Sequence, residues 1–376
     1  MKFNRFIRYT SVFLALLAAG LAGGCTGDDN KSSSSDPSSA AEQSEQSEKE
    51  KEKESSVKSD VSEEESQESE EESIPEISDP TPDNEGETVN GIFVYNDVAY
   101  ELFYGSEDMA KYYAETISDI KTALGDGIKV YNVVVPTHVG VDLPAKFDDL
   151  CEPQDVYLNT IVSSYTSDVI GINVYDKLMH HRDEYLYFNS DHHWTALAAY
   201  YAYEEFAKAA GIEPVKLSEL NEEKIEGYSG SLAYDTGLET LKEDYVTYYT
   251  SDDDIDCTKY DEDGENPEDY MLIHDYASGV NSYGVFLGGD TPLLVTKNEN
   301  GNGKKIAVVK ESYGNAFSPF IAYTYSEAHF IDFRYVNFDL KSYLEENGID
   351  EVIFINNSMA SATDARCEEL SNLVKS

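Results

Sequence analysis

The chain has 376 residues, enough for one large domain or two small ones, and its 74 acidic and 27 basic residues give a net charge of −47. Such an excess of negative charge argues against binding to nucleic acid or to anionic lipid, because both partners require a basic patch. It is compatible with neutral or cationic glycans, and it is equally a common means of keeping a surface soluble.

The first 24 residues have the organisation of a secretory signal: three basic residues, then an apolar run over 12–22, then small residues that end at Cys25. The sequence Leu21-Ala-Gly-Gly-Cys25 resembles a bacterial lipobox, in which the cysteine receives lipid and becomes the mature N-terminus. An uncleaved anchor is the less favoured alternative, because the apolar run is too short to span a bilayer comfortably. We therefore predict a signal peptide over 1–24, lipidation at Cys25, and an extracytoplasmic protein that contacts the bacterial cell membrane only through its lipid.

Residues 25–88 form a stretch of Ser, Glu, Lys and Gln that has scarcely an aromatic side chain and contains 22 acidic against 5 basic residues. This composition buries too little apolar surface to offset the entropy lost on ordering, so it predicts a disordered acidic tether. The folded domain is then expected to occupy 89–376.

In chain order, the domain alternates between helical spacing and buried apolar runs. The helical pattern over 107–124 ends at Gly125, and the β-branched run over 128–135 is typical of a strand buried on both faces of a parallel sheet. The later elements are predicted as helix 156–165, strand 169–174, helix 176–181, helix 194–210, strand 305–310, helix 319–325, strand 330–334, helix 340–347, strand 352–356 and helix 364–374. This order predicts an α/β fold with a mostly parallel sheet.

The segment of about 227–300 interrupts this alternation. Aromatic and β-branched pieces, including 245–249 and 283–287, are separated there by polar loops. We interpret the segment as a β-rich insertion, and the sequence does not say whether it closes over a substrate.

Two separate polar motifs could together form a catalytic site. Asp191 and His193 lie just before the 194–210 helix, and a carboxylate near an imidazole fixes its tautomer and stabilises its cationic form. Ser312 lies in a tight turn between a strand and a helix, a geometry that presents a hydroxyl at the carboxyl end of a sheet. Because a serine hydroxyl needs a neighbouring base, we predict Ser312 as nucleophile, His193 as general base and Asp191 as the residue that orients it.

Neighbouring residues complete this hypothesis. The oxyanion formed on an attacked ester requires hydrogen-bond donors, and the candidates are the backbone N–H groups of Ser312 and Gly314 and the amide of Asn315. His192 is assigned to packing or to a hydrogen bond with substrate. The structural alternatives remain open, since a serine in such a turn and an aspartate before a helix are often only structural.

No metal or cofactor is predicted, because the histidines and cysteines lack ligand spacing and the glycine of Asp261-Glu-Asp-Gly264 comes too early for an EF-hand loop. Cys151, Cys257 and Cys367 allow one disulfide and a free thiol, but the sequence does not choose a pair.

The motifs Asp191-His-His-Trp-Thr195 and Lys310-Glu-Ser-Tyr-Gly-Asn315 resemble those of the DHHW proteins, extracytoplasmic relatives of the alginate O-acetyltransferase proteins in the SGNH hydrolase-like superfamily. The resemblance spans about Asn90 to the C-terminus, including Tyr283-Gly-Val-Phe-Leu-Gly-Gly-Asp290 and Val352-Ile-Phe-Ile-Asn-Asn357. It implies a three-layer α/β/α sandwich. The family's triad is the aspartate and second histidine of the first motif with the serine of the second, here Asp191, His193 and Ser312. Glu311 departs from the aspartate of many relatives.

The resemblance also implies a function and a partner. We expect an O-acetyltransferase that modifies a cell-surface or secreted polysaccharide through an acyl-serine intermediate, with acetyl groups supplied by a membrane-bound O-acyltransferase. A carbohydrate acetyl esterase of the same fold is an alternative, since the triad does not distinguish water from a sugar as acceptor. A glycan-binding or scaffold lipoprotein without activity is another.

Overall fold

The computed structural model describes residues 74–77, 79 and 81–374, all of them within one unit that spans Ser69–Ser376. The predicted signal peptide, the lipidation site Cys25 and the tether as far as residue 73 lie outside the described residues. Within the described part, none of the helices combines the length and the apolar character needed to cross a membrane.

The described strands are β1 (Glu87–Val89), β2 (Ile92–Tyr95), β3 (Val98–Tyr100), β4 (Lys129–Val135), β5 (Val169–Asn173), β6 (Asn221–Tyr228), β7 (Asp244–Thr250), β8 (Ile255–Tyr260), β9 (Glu268–Asp269), β10 (Leu293–Asn298), β11 (Lys305–Lys310), β12 (Glu327–Asp332) and β13 (Glu351–Asn357). The α-helices are α1 (Glu107–Leu124), α2 (His138–Val141), α3 (Gln154–Ser163), α4 (Tyr175–His180), α5 (Ala196–Ala210), α6 (Ser231–Thr236), α7 (Tyr313–Thr324), α8 (Leu340–Asn347), α9 (Ser358–Ser361) and α10 (Asp364–Asn372). Short 3-10 helices cover Ala145–Leu150, Leu217–Glu219 and Gly279–Val285.

Eight strands form one sheet in the order β5-β4-β13-β11-β12-β10-β8-β9. The strands from β5 to β12 pair in parallel, whereas β10, β8 and β9 continue the sheet in antiparallel pairs. The prediction of an α/β fold with a mostly parallel sheet is therefore confirmed.

The segment 227–300 is rich in strands, but much of it belongs to the large sheet. β6 and β7 form a separate antiparallel pair, while β8, β9 and β10 extend the large sheet. The stretch 283–287, which has the composition of a strand, lies mostly in the 3-10 helix Gly279–Val285. Aromatic and β-branched residues favour burial, and a buried 3-10 helix can have the same composition as a buried strand. The composition of this stretch therefore did not distinguish the two.

Apolar side chains pack against both faces of the large sheet. Because neighbouring residues of a strand point to opposite faces, Tyr131 and Val133 of β4 join one buried cluster, and Val130 and Val134 join another. The first cluster contains apolar residues of α5 and α7, and the second contains those of α1, α3 and α10. Burial on both faces explains why β4, β11 and β13 appear as continuous apolar runs in the sequence.

The end of the predicted tether packs against the domain. Lys146 donates hydrogen bonds to the backbone carbonyls of Pro82 and Asn84, and it forms an ion pair with Asp79 at 3.0 Å. The strand β1 then pairs with β2. The expectation of disorder as far as residue 88 is therefore wrong for its last residues, because polar contacts order a stretch that has few apolar side chains.

Cys151, Cys257 and Cys367 are free thiols, so no disulfide joins these three positions. Cys257 belongs to the apolar cluster of α5 and α7, and Cys367 belongs to the cluster on the other face of the sheet. Burial raises the pKa of the Cys257 thiol to about 12 and that of the Cys367 thiol to about 11. Both thiols are therefore protonated and poorly nucleophilic at neutral pH.

The carboxyl ends of the parallel strands meet along one edge of the sheet. Asn357 ends β13, Ser312 follows β11, and Asp332 ends β12. Because β10 runs in the opposite direction, the residues that precede it, including Asp290, reach the same edge. The topology thus gathers polar residues from distant parts of the sequence, as in other open α/β sheets.

Candidate active site

Ser312 lies between β11 and α7, at the N-cap position of the helix. The helix begins at Tyr313, earlier than the sequence pattern predicted, and it accommodates Pro319 in its interior. Gly314 permits this tight passage from strand to helix, because a Cβ atom there would lie 2.5 Å from Cβ of Lys310. The serine is held at the carboxyl edge of the sheet as a result.

Asp191 lies in the loop that precedes α5. An antiparallel bridge between Tyr187 and Trp194 closes this loop at its base. Thr195 caps the helix, since its hydroxyl accepts a hydrogen bond from the N–H of Ala198 at 3.4 Å. The carboxylate of Asp191 therefore does not serve as the helix cap.

Asp244, at the start of β7, anchors the Asp191 loop. It is 2% exposed, and its Oδ1 accepts hydrogen bonds from the backbone N–H of Asn189 at 2.8 Å and from the hydroxyl of Tyr185. Its Oδ2 accepts hydrogen bonds from the backbone N–H of Ser190 at 2.8 Å and from the Ser190 hydroxyl. Sequence reasoning missed this residue, because nothing in the local pattern of β7 indicates a partner in the Asp191 loop.

The structure brings Asp191, His193 and Ser312 into one hydrogen-bonded chain. His193 Nδ1 lies 2.6 Å from Asp191 Oδ1, and His193 Nε2 lies 2.9 Å from Ser312 Oγ. Asp191 and His193 are 2% and 7% exposed. Such distances permit a base to take a proton from a serine hydroxyl while a carboxylate orients the imidazole.

A sequence model of the family described as DHHW protein matches residues 34–331, which is most of the chain. The chain belongs to the DHHW family. Among curated proteins, no match was found.

Solved structures include another member of this family. A DHHW family protein from Eubacterium siraeum is 28% identical with a TM-score of 0.73, over 78% of this chain and 99% of that protein. Two structures of Bacillus cereus PatB1, one of them with a sulfonyl adduct, are 18% and 17% identical with TM-scores of 0.61 and 0.59. Each PatB1 comparison covers 73% of this chain and 98% of PatB1, and it shows a shared fold.

In this DHHW family member, aromatic residues hold the His193 ring in place. Tyr283 stacks on that ring with centroids 3.9 Å apart, and its hydroxyl donates to the carbonyl oxygen of Ser312 at 3.0 Å. Trp194 is completely buried and donates from its indole N–H to the carbonyl oxygen of Tyr313 at 2.9 Å. The sequence gave no sign that Tyr283 would contact His193.

The start of α6 contacts the same loop. The N–H of Ser231 donates to Asp191 Oδ2 at 2.8 Å, and the Ser231 hydroxyl is hydrogen-bonded to Nδ1 of His192 at 2.7 Å. A glycine is required at position 230, because a Cβ atom there would lie 2.2 Å from Cβ of Asp191. Burial and the neighbouring charge of His193 lower the pKa of His192.

Glu311 is buried beside Ser312 and accepts hydrogen bonds from the start of α7 and from the end of β13. Its Oε2 accepts a hydrogen bond from the N–H of Tyr313 at 3.0 Å and lies 3.2 Å from Ser312 Oγ. Its Oε1 accepts a hydrogen bond from the N–H of Asn357 at 3.0 Å. Burial raises the pKa of this carboxyl, although these N–H groups and the charge of Arg334 oppose the increase. Glu311 thereby links the end of β13 to the start of α7.

The candidate oxyanion donors are partly engaged. The N–H of Gly314 donates to the carbonyl oxygen of Glu311 at 3.0 Å. The amide nitrogen of Asn315 donates to Asp290 at 3.1 Å, while its Oδ1 is buried without a hydrogen-bond partner among the described residues. Asp290 in turn forms an ion pair with Arg334 at 2.9 Å. Because the amide nitrogen carries two N–H groups, Asn315 can bind Asp290 with one of them and offer the other to an oxyanion.

Asp191, His192 and His193 place ligand atoms within 4.8 Å of one another, a spacing that would suit a metal ion. However, both ring nitrogens of His193 are already hydrogen-bonded, to Asp191 and to Ser312. A metal ion would have to displace one of these partners. The absence of a metal site stays a prediction from the sequence.

Asp191 should make the stability of the domain pH-dependent. Burial raises the pKa of Asp191, but the charge of His193 and its hydrogen bond outweigh burial and hold this pKa well below its ordinary value. Near about pH 4 and below, residue 191 of the unfolded chain therefore binds a proton that the folded chain does not bind. The free energy of unfolding consequently decreases as the pH is lowered. When pH is lowered from about 5 to about 3, we expect Asp191→Asn to lose less free energy of unfolding than the parent. Urea unfolding at both pH values measures the free energy of unfolding of each protein. An equal decrease for the parent and for Asp191→Asn would contradict the prediction.

Proposed function

We propose that this protein is an extracytoplasmic O-acetyltransferase that moves acetyl groups onto a cell-surface or secreted polysaccharide through an acyl intermediate on Ser312. The observation that carries this proposal is the hydrogen-bonded chain from Asp191 through His193 to Ser312 at the carboxyl edge of the sheet. Membership of the DHHW family, related to the alginate O-acetyltransferase proteins, suggests the acetyl group and the polysaccharide. PatB1, which has the same fold, was solved with a sulfonyl adduct, and sulfonyl groups attach to activated nucleophiles.

In the first half-reaction, His193 Nε2 takes the proton of the Ser312 hydroxyl as Oγ attacks the carbonyl carbon of the acetyl donor. Asp191 stabilises the imidazolium that forms. The bond between the acetyl carbon and the donor oxygen then breaks, and His193 returns the proton to that oxygen. The donor leaves as an alcohol, and the acetyl group remains bonded to Ser312 Oγ.

In the second half-reaction, a sugar hydroxyl takes the place of the donor alcohol. His193 removes the proton of this hydroxyl while its oxygen attacks the acetyl carbon. The bond to Ser312 Oγ breaks, and Oγ recovers the proton from His193. The products are the acetylated sugar and the free enzyme. A water molecule in the same position would give hydrolysis instead.

The negative charge on the carbonyl oxygen needs donors in both half-reactions. The backbone N–H of Ser312 is our first candidate, and the amide of Asn315 is the second. We assign Gly314 to close packing of α7 against β11, because its N–H already bonds Glu311 in the resting structure. His192 is half-buried beside His193 and is our candidate for a hydrogen bond to substrate.

The proposal is tested by measuring how much of the acetyl group is transferred to a sugar and how much to water. The purified protein is incubated with p-nitrophenyl acetate and an oligosaccharide, and acetate and acetylated oligosaccharide are quantified by mass spectrometry. We expect acetylated oligosaccharide to form, and to form much more slowly with Ser312→Ala. Release of acetate alone would favour the esterase alternative. No reaction at all would favour a binding protein.

The location and the acetyl source complete the proposal. The Cys25 lipobox supports a lipid anchor outside the cytoplasm, and a Cys25→Ala variant should then leave the membrane fraction. The family resemblance supports a membrane-bound O-acyltransferase as the supplier of acetyl groups, and deletion of that partner should abolish glycan acetylation in cells. Helical residues in both apolar clusters support a three-layer α/β/α arrangement of the SGNH hydrolase-like type.

A further inference from the structure

The short helix α6 is fixed against the candidate active site. Besides the bonds from Ser231 to Asp191 and His192, the N–H of Ala233 donates to the carbonyl oxygen of Ser190 at 3.0 Å. On its other side, α6 buries Leu232 in an apolar cluster with residues of β2 and β3. The position of α6 relative to His193 is therefore set by contacts on two sides.

The free face of α6 presents a tyrosine beside the site. Tyr234 is 87% exposed, whereas Leu232 and Thr236 on the opposite face are buried. Tyr234 follows Ser231 by three residues, so both lie on the same side of the helix, separated along its axis by about 5 Å. An exposed aromatic ring thus lies about one helical turn from the residue that holds His192.

Two carboxylates lie near α6 and His192. Asp235 follows Tyr234 in α6 and is exposed, and its backbone carbonyl oxygen accepts a hydrogen bond from the side chain of Asn90 at 2.8 Å. Glu101 follows β3, is half-buried, and interacts electrostatically with His192 and Asp235. Burial raises the pKa of Glu101, and the charge of His192 opposes this increase.

Two cations at the same edge of the sheet are already neutralised. Lys310 is completely buried, and its Nζ lies 3.5 Å from Asp332. Arg334 donates two hydrogen bonds to Asp332, at 2.8 and 2.6 Å, and forms an ion pair with Asp290. A substrate carboxylate near α6 would therefore meet the two carboxylates described above, while the positive charges of Lys310 and Arg334 are held by protein partners.

We propose that Tyr234, Glu101 and Asp235 form the acceptor subsite, and that this subsite binds sugars without a carboxylate, neutral or amino, and rejects uronic acids. This inference rests on the transferase function proposed above. The tyrosine ring offers a flat apolar surface to the C–H groups of a sugar ring. The carboxylates accept hydrogen bonds from sugar hydroxyl or ammonium groups, and they repel a uronate.

Binding to the full-length Ser312→Ala variant tests the subsite without any need for acetyl transfer. The probes are cello-oligosaccharides, glucosamine oligomers and oligogalacturonate at low salt, with Kd measured by calorimetry. We expect oligogalacturonate to bind at least about tenfold more weakly than the other two. Adding Glu101→Gln and Asp235→Asn should bring the Kd of oligogalacturonate closer to those of the other two probes, because these substitutions remove the negative charges that repel a uronate.

The contribution of the ring is tested in the same background. Adding Tyr234→Ala should weaken binding of cello-oligosaccharides about fivefold, whereas Tyr234→Phe should retain most of the affinity because it keeps the ring. Tyr112→Ala is the matched control, since it removes another exposed tyrosine, from α1.

Three results would overturn the subsite: oligogalacturonate that binds as tightly as the other probes, Tyr234→Ala that binds like the Tyr112→Ala control, or no binding of any probe. Failure of the transferase proposal would look different. The glycans would then bind in the expected order, but the parent protein would transfer no acetyl group to them.

Discussion

Replacing Ser312 with alanine is expected to lower kcat/KM for p-nitrophenyl acetate by at least about 10³-fold, the largest effect on activity that we predict for a single substitution. The hydroxyl is the atom that becomes acetylated, and it lies 2.9 Å from the base His193. Without Oγ, His193 can act only on water, at a position that the protein does not fix. The residual rate would then come from binding and from oxyanion donors alone.

A matched control is available on the same helix. Ser318 is also buried in α7, but its hydroxyl donates to the carbonyl oxygen of Gly314 at 2.7 Å. Ser318→Ala should change kcat/KM less than about threefold, because this bond lies within the helix and not among the reacting atoms. If Ser312→Ala retained activity comparable to Ser318→Ala, Ser312 would not be the nucleophile.

Replacing Asp244 with alanine is expected to cause the largest loss of stability, roughly 3 to 5 kcal/mol in the free energy of unfolding. Asp244 is buried and accepts hydrogen bonds from both backbone and side chain of Asn189 and Ser190, and from the hydroxyl of Tyr185. Alanine would leave these donors without their partner in a buried site. The Asp191 loop would lose its anchor, so activity should fall as well.

Urea unfolding followed by tryptophan fluorescence measures this effect, because Trp194 is the only tryptophan and is completely buried. Asp254→Ala, an exposed aspartate after the same strand, should change stability by less than about 0.5 kcal/mol. The loss of stability for Asp244→Asn should lie between those for Asp244→Ala and Asp254→Ala, since asparagine keeps one acceptor oxygen. A loss below about 1 kcal/mol for Asp244→Ala would show that Asp244 does not anchor the loop.

Elements with a strong local pattern were predicted closely from the sequence. The predicted helix 107–124 is α1 itself, because apolar residues recur at helical spacing and Gly125 follows its last turn. The predicted strand 305–310 is β11, since burial on both faces leaves a continuous apolar run. The turn that carries Ser312 follows from these two kinds of pattern, which is why the serine could be singled out.

Contacts between segments that are distant in the sequence could not be predicted from local sequence patterns. Asp244, Ser231 and Tyr283 each touch the Asp191 loop or Ser312, yet all three lie in the segment that local pattern described only as strand-rich. Neither periodicity nor composition indicates which donor a buried carboxylate will meet. The family motif beginning at Tyr283 marked that residue without giving it a partner.

Errors at the edges of elements have a similar cause. α7 begins at Tyr313 although Pro319 appeared to mark a helix start, because the buried helix accommodates a proline within it. The last residues before 88 are ordered by Lys146, a lysine far away in the sequence. In both cases tertiary contacts override a local preference.

The most direct test of the central claim is to trap the acyl group. The full-length protein is mixed with p-nitrophenyl acetate, quenched in acid within the first turnover, digested and analysed by mass spectrometry. We expect one acetyl group on Ser312, and its removal when an acceptor glycan is added before the quench. An acetyl group on another residue that is consumed at the turnover rate, or turnover with Ser312 never acetylated, would contradict an acyl-Ser312 mechanism.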